Sequence, residues 1–464
     1  MIYRVPCDTA PEAVTFDPSD GGLLLLTDDK NRFKRGEWNF DTARRGPYGV
    51  ARHCEVTRAP GRADRVRGKK IVHSSQTMTA TKPRPAQFED RPLLVFWETT
   101  KACALACAHC RACAQLQPGP DELTTSEGFA LVDELAAIGR PRPILILTGG
   151  DCLQRPDISD IARYAQQQGV PVAISPSVTP YLTPELLDEL LSFGVHSASL
   201  SLDGSNSRTH DTLRGIPGHY DATLDAIKML KNHGYTTQIN TTVMAGNLHE
   251  LADIAVTLRE LGVDVWEVFF LITTGRGTDI LESTPQENED VCNFLVDASR
   301  YGFTVRTVEA PFFRRIAAER KNDPDYHETH VPGPLYVELH DRLVAQLGEP
   351  TAPVRAPSAA TRDGKGIIFI ASNGDVFPSG FMPYRLGNVR HERLIDIYRE
   401  NEVLRSIRAA EFSEPCATCA HAQLCGGSRA RALAKTGDPL GADPGCLIVA
   451  DALASSSSVS LRTH

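Results

Sequence analysis

From Arg91 onward the chain alternates short apolar runs with longer segments whose apolar residues recur every three or four positions. The short runs are Leu93–Thr99, Ile144–Thr148, Pro171–Ser175, Ser197–Leu202, Gln238–Met244 and Val263–Phe270, and they read as strands. Between them, Thr125–Ile138, Asp157–Gln168, Pro184–Phe193, Tyr220–His233 and Asn247–Leu261 read as amphipathic helices. Pro184 after Thr183 suits a first helical turn, and Gly194 and Gly234 stand where a left-handed residue ends a helix. Strands joined by crossover helices pair in parallel.

The expected fold is therefore α/β: a partial (β/α)6 TIM-like barrel, with a doubly wound sheet as the competing arrangement. Residues 275–365 are less regular, with a helix at Pro285–Tyr301, a strand near Phe303–Glu309 and a Pro-rich stretch to Pro357. Gly366–Ser372 and Val376–Pro378 flank Asn373-Gly374-Asp375 and predict a hairpin. A helix over Leu394–Arg408 and a small cysteine-rich α+β end follow. The reading divides the chain into an N-terminal extension or accessory domain (1–88), a core (89–280), a bridging region (281–365), a cysteine-rich domain (366–452) and a disordered tail (453–464).

Charge adds little. The formal net charge is −9. Residues 1–90 carry 16 Lys+Arg against 12 Asp+Glu, which leaves the remainder at −13. An acidic core argues against a nucleic-acid partner. No run approaches the 18 or so apolar residues of a membrane span, and no signal core is evident. With 464 residues the chain is too long for a disulfide-stapled miniprotein. Seven of its twelve cysteines fall in two tight groups, a pattern that points to metal in a reducing cytoplasm.

The first group is Cys103-x3-Cys107-x2-Cys110, directly after the first strand. Three thiolates on one loop can hold three corners of a [4Fe–4S] cube and leave the fourth iron open to a small molecule. Other polar groups also end strands: Thr148-Gly149-Gly150-Asp151, Ser175, Ser201-Leu202-Asp203-Gly204 and, on the fifth strand, Asn240. The C-terminal rim of such a barrel is where functional residues collect. A zinc site is the alternative for the first group. It has only three cysteines, and His109 lies too close to Cys110 for an obvious fourth ligand.

The three-cysteine loop, the Gly-Gly-Asp and the Ser-Leu-Asp-Gly, each at its strand end, resemble the radical S-adenosylmethionine (SAM) enzymes over about residues 92–275. The resemblance implies that Cys103, Cys107 and Cys110 hold the cluster and that SAM chelates its open iron. It implies SAM contacts from Gly149 and Gly150, whose bare backbone permits close approach, and from Asp151 beside the amine. Ser201 and Asp203 would meet the ribose and Arg214 the carboxylate, with Ser175 and Asn240 as further contacts. Ser175, Ser201 and Asn240 also fit a plainer role as strand-end residues capping loops.

The second group is Cys416-x2-Cys419-x5-Cys425, with twenty residues between Cys425 and Cys446. Four cysteines suit a fully ligated site, a zinc ribbon or a cluster. The segment from Cys425-Gly426-Gly427 to Cys446 resembles the SPASM/twitch extension of radical SAM enzymes, especially the heme-synthase and peptide-maturase branches. That implies a second, auxiliary [4Fe–4S] cluster. Arg429 and Arg431 beside it would pair with substrate carboxylates or with each other's neighbours on the surface. Trp97, Trp266, Phe269 and Phe270 are expected to fill the core, and Glu267 and Glu309 to face the cavity.

Cys152 replaces the proline usual after Gly-Gly-Asp in that superfamily. It, or Cys113, is a candidate hydrogen donor of the kind radical epimerases use. The expected function is a cytoplasmic radical SAM oxidoreductase with SAM and two [4Fe–4S] clusters. It would abstract hydrogen from a biosynthetic intermediate, in tetrapyrrole oxidation or decarboxylation or in ribosomal-peptide modification. A radical epimerase or dehydrogenase of a sugar-containing intermediate is the alternative, and an iron–sulfur electron carrier or zinc-stapled module is the non-enzyme reading. Partners would be a small-molecule or peptide substrate and a flavodoxin or ferredoxin reductant, with no nucleic acid and no membrane.

Overall fold

A computed structural model describes residues 88–323, 325–326, 330–357 and 360–460, together with three short strands nearer the N-terminus. Those strands, β1 (Thr15–Phe16), β2 (Leu23–Leu26) and β3 (Phe33–Gly36), form an antiparallel sheet within a compact unit over Asp8–Lys82. The remainder of the expected extension, with Cys7 and Cys54, lies outside the described residues.

In the other unit seven parallel strands follow one another in chain order: β4 (Leu94–Glu98), β5 (Ile144–Thr148), β6 (Val172–Ile174), β7 (Ser197–Ser201), β8 (Thr236–Val243), β9 (Val265–Phe270) and β10 (Thr304–Val308). A doubly wound sheet would reverse direction at a switch point. This order does not, so the sheet is the barrel type. It is longer than the six strands expected, because β10 continues it beyond β9 and a later strand adds to β4. Of the elements after β10, β11 (Arg362–Asp363) leads into β12 (Gly366–Ile370), which lies parallel to β4, and β12 turns back through β13 (Asp375–Phe377) to β14 (Gly387–Asn388).

The helices are α1 (Thr125–Ala137), α2 (Ile158–Gln167), α3 (Pro184–Phe193), α4 (Ser207–Arg214), α5 (His219–Asn232), α6 (Leu251–Glu260), α7 (Pro285–Ala298), α8 (Phe312–Asn322), α9 (Pro334–Leu347), α10 (Leu394–Glu400), α11 (Glu402–Ala409), α12 (Arg429–Thr436) and α13 (Leu447–Ser460). The starts follow capping chemistry. Thr124 and Glu127 form a capping box on α1, and Thr183 caps α3 with Pro184 in its first turn. Three expectations change. Helix α4 was hidden because its eight residues are mostly polar. The single helix expected over Leu394–Arg408 breaks at Asn401, whose extended backbone ends α10 and whose side chain caps α11. Helix α13 runs to Ser460, through most of the expected tail.

Strand residues alternate as a two-sided sheet requires. Val95, Trp97, Trp266, Val268 and Phe270 point outward and are buried against the helices. Trp266 meets Phe294 and Phe303 edge-on, with ring centroids 6.5 and 5.8 Å away. The opposite positions, Phe96, Asn240, Glu267 and Phe269 among them, are less buried or polar and line the concave side. Phe269 is thus not a core residue: it meets Phe381 from the C-terminal region at 5.8 Å. That region straddles the open side of the barrel. Its β12 pairs with β4, while Ser428 and Arg431 bind Glu309 just after β10. Among the described residues no helix is long and apolar enough to cross a membrane.

Candidate functional site

Parallel strands place all their C-terminal ends on one rim, and the first cysteine group lies there. Cys103 and Cys107 are buried, and Cys110 is partly exposed. With Leu105, Ala114 and Ile216 they form a small apolar cluster separate from the main core. The loop is pinned at many points. Cys103 N–H donates to Gln115 O (2.7 Å) and Gln115 N–H to Lys101 O (2.9 Å). The Glu122 carboxylate accepts from Thr100 Oγ1 and from the Lys101 and Gly119 amides.

The two glycines act on this loop directly. Gly150 N–H donates to Thr100 O (2.8 Å), and Asp151 N–H to Ala102 O (2.7 Å). A Cβ on Gly149 would stand 2.6 Å from Thr100 O, and one on Gly150 2.4 Å from Ala102 O. Glycine is therefore required here to let the second strand end dock on the cysteine loop. Asp151 is fully buried, and its carboxylate is occupied: Oδ1 accepts from the Leu153 and Ser177 amides and Oδ2 from Thr179 Oγ1 (2.6 Å). It ties the β5 and β6 rims together.

Asp203 makes the matching tie from β7. It is buried and accepts from Arg214 through Oδ2 and from Thr242 N–H through Oδ1 (2.7 Å), with His109 Nε2 at 3.3 Å. Burial raises its carboxyl, but Arg214 and then His109 outweigh it and hold the group well below the usual carboxylate range. Arg214 Nη1 also donates to Cys107 Sγ (3.6 Å). Asp203 and Arg214 thus clamp the loop, and Arg214 Nε and His109 Nδ1 remain buried without a partner among the described residues. Ser201, Asn240 and Glu267 stand level on three adjacent strands. Gln238 Nε2 donates to Asn240 Oδ1 (2.8 Å) and Glu267 Oε2 (2.7 Å), while burial raises Glu267. Ser175 ends β6, its amide bound to Leu147 O.

Neither candidate hydrogen donor survives. Cys152 is fully buried in the main core, where burial pushes its thiol well above the ordinary value. Cys113 is disulfide-bonded and has no thiol hydrogen to give. Cys292 is likewise a core residue.

The second cysteine group lines one recess: Cys416, Cys419, Cys425 and Cys446 share it with Arg315 and the Gly426-Gly427 backbone. Gly427 N–H points at Cys425 Sγ (3.4 Å). Arg429 and Arg431 are buried, and Arg429 Nη2 has no hydrogen-bond partner among the described residues. Arg429 is fully buried, donates to Gly427 O and Gly441 O, and stacks on Phe412 at 4.4 Å. Arg431 binds Asp443 and Glu309 O. Both brace the walls of the recess. Glu309 is also turned inward, bonded to Ser428 Oγ and driven well above the usual carboxylate range by burial and then by Asp363.

Burial pushes Cys103 and Cys425 to about 11 and Cys446 to about 12. What fits a sulfur-ligated cluster is the donor chemistry: three thiols gathered on the rim loop and four around one recess. Residues 97–261 match the radical SAM superfamily, and residues 362–420 match the SPASM iron–sulfur cluster-binding domain. An AdoMet-dependent heme synthase of Methanosarcina barkeri is 35% identical over 77% of this chain and 96% of its own.

The chain belongs to the radical SAM enzymes. Its cofactors are SAM and two [4Fe–4S] clusters. The mycofactocin maturase MftC of Mycolicibacterium smegmatis is 28% identical over 80% of this chain and 88% of its own. SuiB of Streptococcus suis, solved with SAM bound, shares the fold at TM-score 0.57 and 14% identity, over 77% of this chain and 78% of its own.

Several residues of this radical SAM site escaped the sequence. Arg276, after β9, donates to Cys107 O through Nε (2.9 Å) and to Ala114 O through Nη1 (3.1 Å), stapling the loop from the far side. The preceding Gly275 has φ +60° and would meet Cys110 O at 2.4 Å if it carried a Cβ. The Thr-Gly-Arg-Gly run 274–277, directly after a strand, was the available signal. Ser177, bonded to Gly150 O and 3.7 Å from Cys103 Sγ, had none beyond its strand-end place.

Proposed function

We propose that this enzyme takes a hydrogen from a carboxylate-bearing tetrapyrrole in an oxidation or decarboxylation, with Cys103, Cys107 and Cys110 holding the catalytic cluster. Cys416, Cys419, Cys425 and Cys446 hold the auxiliary one. Bound there, the first cluster and SAM supply a 5′-deoxyadenosyl radical. The chain's own residues do the rest. Thr100, Ala102, Gly150 and Arg276 fix the loop, Asp203 and Arg214 set its charge, and Ser175, Ser201 and Asn240 offer polar contacts from the rim. The observation that carries the reading is the three-cysteine loop clamped at the C-terminal rim, in a chain that also gathers four cysteines around a second recess. The likeness to heme synthases over nearly their whole length supports the tetrapyrrole.

The reading includes a flavodoxin or ferredoxin as the source of low-potential electrons, in the cytoplasm. Ribosomal-peptide modification is the second reading, supported by the likeness to a mycofactocin maturase. The sugar-epimerase reading rested on Cys152 and loses its basis with that residue buried. Anaerobic reconstitution should give about eight irons per chain, falling to about four in the variant with Cys103, Cys107 and Cys110 all changed to Ala. Reduced wild type with SAM and iron coproporphyrin III should release 5′-deoxyadenosine and a product lighter by one or more carboxyl groups. Turnover of a precursor peptide but not of the porphyrin would select the second reading.

A further inference from the structure

Arg429 and Arg431 are buried in the walls of the auxiliary recess, out of reach from solvent, so a substrate carboxylate needs another partner. Arg111, the residue after Cys110, has the required geometry. Its guanidinium carbon lies 4.5 Å from the centre of the Phe369 ring and 5.7 Å from that of Phe381. Nη1 alone is held, by Glu98 Oε2 and Gly380 O, each at 3.4 Å. Both contacts are long for bonds from a cation, which ordinarily close to about 2.7–2.9 Å. Among the described residues Nε and Nη2 have no hydrogen-bond partner, and neither is sealed from solvent. A Cβ on Gly380 would stand 2.9 Å from the guanidinium carbon, so the glycine makes room for the flat group.

One edge of the guanidinium is thus anchored and the other presented. The free edge is the fork that grips a carboxylate through two parallel hydrogen bonds. Beside it stand Phe369 and Phe381; Phe96 is level with Phe369 on the neighbouring strand, and Phe381 packs against Phe269. An aromatic wall with one forward-facing cation suits a carboxylate carried by a flat, apolar body. Glu98 is buried at the end of β4, and among the described residues Arg111 is its only charged partner. It holds the arginine in place between turnovers and competes with any anion that arrives.

We propose that Arg111 is the residue that recognises the substrate carboxylate, with Phe369 and Phe381 as its stacking platform and Glu98 as its placeholder. This deepens the tetrapyrrole reading and rests on it. The test is an anaerobic absorption titration of the cluster-loaded protein with iron coproporphyrin III and with its tetramethyl ester, with iron content measured for every variant. Wild type should bind the acid at least tenfold more tightly than the ester. Arg111→Gln should weaken the acid tenfold or more and leave the ester within about twofold, and Arg111→Lys should fall between. Glu98→Gln should tighten the acid several-fold without moving the ester, and it carries the test if Arg111→Gln fails to load iron. An Arg111→Gln protein that keeps the acid preference, or a Glu98→Gln protein with unchanged acid affinity, overturns the role of Arg111 and leaves the tetrapyrrole reading standing. Wild type that binds neither probe overturns both.

Discussion

Gly150→Ala is the sharpest test of how the cluster loop is held. The new Cβ would lie 2.4 Å from Ala102 O and 2.6 Å from Lys101 O, both backbone atoms. Ordinary contact begins near 3.4 Å, so one strand end must retreat by about 1 Å, a packing clash of the kind that costs about 1–3 kcal/mol. The same movement stretches two hydrogen bonds, Gly150 N–H to Thr100 O and Asp151 N–H to Ala102 O, which are now 2.8 and 2.7 Å. Losing them adds about 1 kcal/mol each, for a total of about 3–5 kcal/mol. A displacement of that size beside the reacting centre lowers turnover by about a hundredfold. The assay is iron per chain after reconstitution and 5′-deoxyadenosine released under reducing conditions. Gly246→Ala is the control, since a Cβ there meets nothing within 4 Å. If Gly150→Ala matches that control in iron and in turnover, the docking argument is wrong.

Three further outcomes are expected. His210 and His219 form a buried chain from Asp203 N–H to Val178 O, with Nε2 of His210 2.9 Å from Nδ1 of His219. Burial, then Arg214, lowers them to about 3 and about 4 from 6.5. Between pH 6.5 and 4 the unfolded chain therefore binds more protons than the folded one, so stability falls as pH falls through that window. At pH 5 His219 alone accounts for about 2 kcal/mol, and denaturant melts of wild type and His219→Gln at pH 7.5 and 5 should show the smaller loss in the variant. Cys152→Ala should leave product mass and hydrogen incorporation from solvent unchanged and cost about 1 kcal/mol in a urea melt, through the small cavity. Arg276→Met should speed iron loss to a chelator and lower stability by about 2 kcal/mol, with partial recovery in Arg276→Lys.

What the sequence revealed, it revealed through periodicity and spacing. Strands β4 to β9 and helix α3 stand out because apolar residues recur at two or at three-to-four positions and because Thr183, Pro184 and Gly194 punctuate them. The two cysteine groups stand out because seven thiols at those intervals have few other uses. Partnership was not legible. Asp151, Asp203 and Arg214 announce charge, but which of them faces a ligand and which is spent on Thr179, Thr242 or Cys107 depends on loops far apart in the chain. Arg429 and Arg431 look like surface cations until the carbonyls of Gly427 and Gly441 and the Asp443 carboxylate are found around them. Cys152 sits two residues from Gly150, yet a short helical turn is enough to swing it from the rim into the core.

The way the C-terminal region spans the open side of the barrel has a consequence for biogenesis. Strand β4 emerges from the ribosome early, but its neighbour β12 emerges some 270 residues later. Throughout that interval β4 presents a bare hydrogen-bonding edge, the feature that invites intermolecular pairing. A chain stopped before Gly366 would keep that edge indefinitely and should precipitate even though its catalytic cysteines are intact.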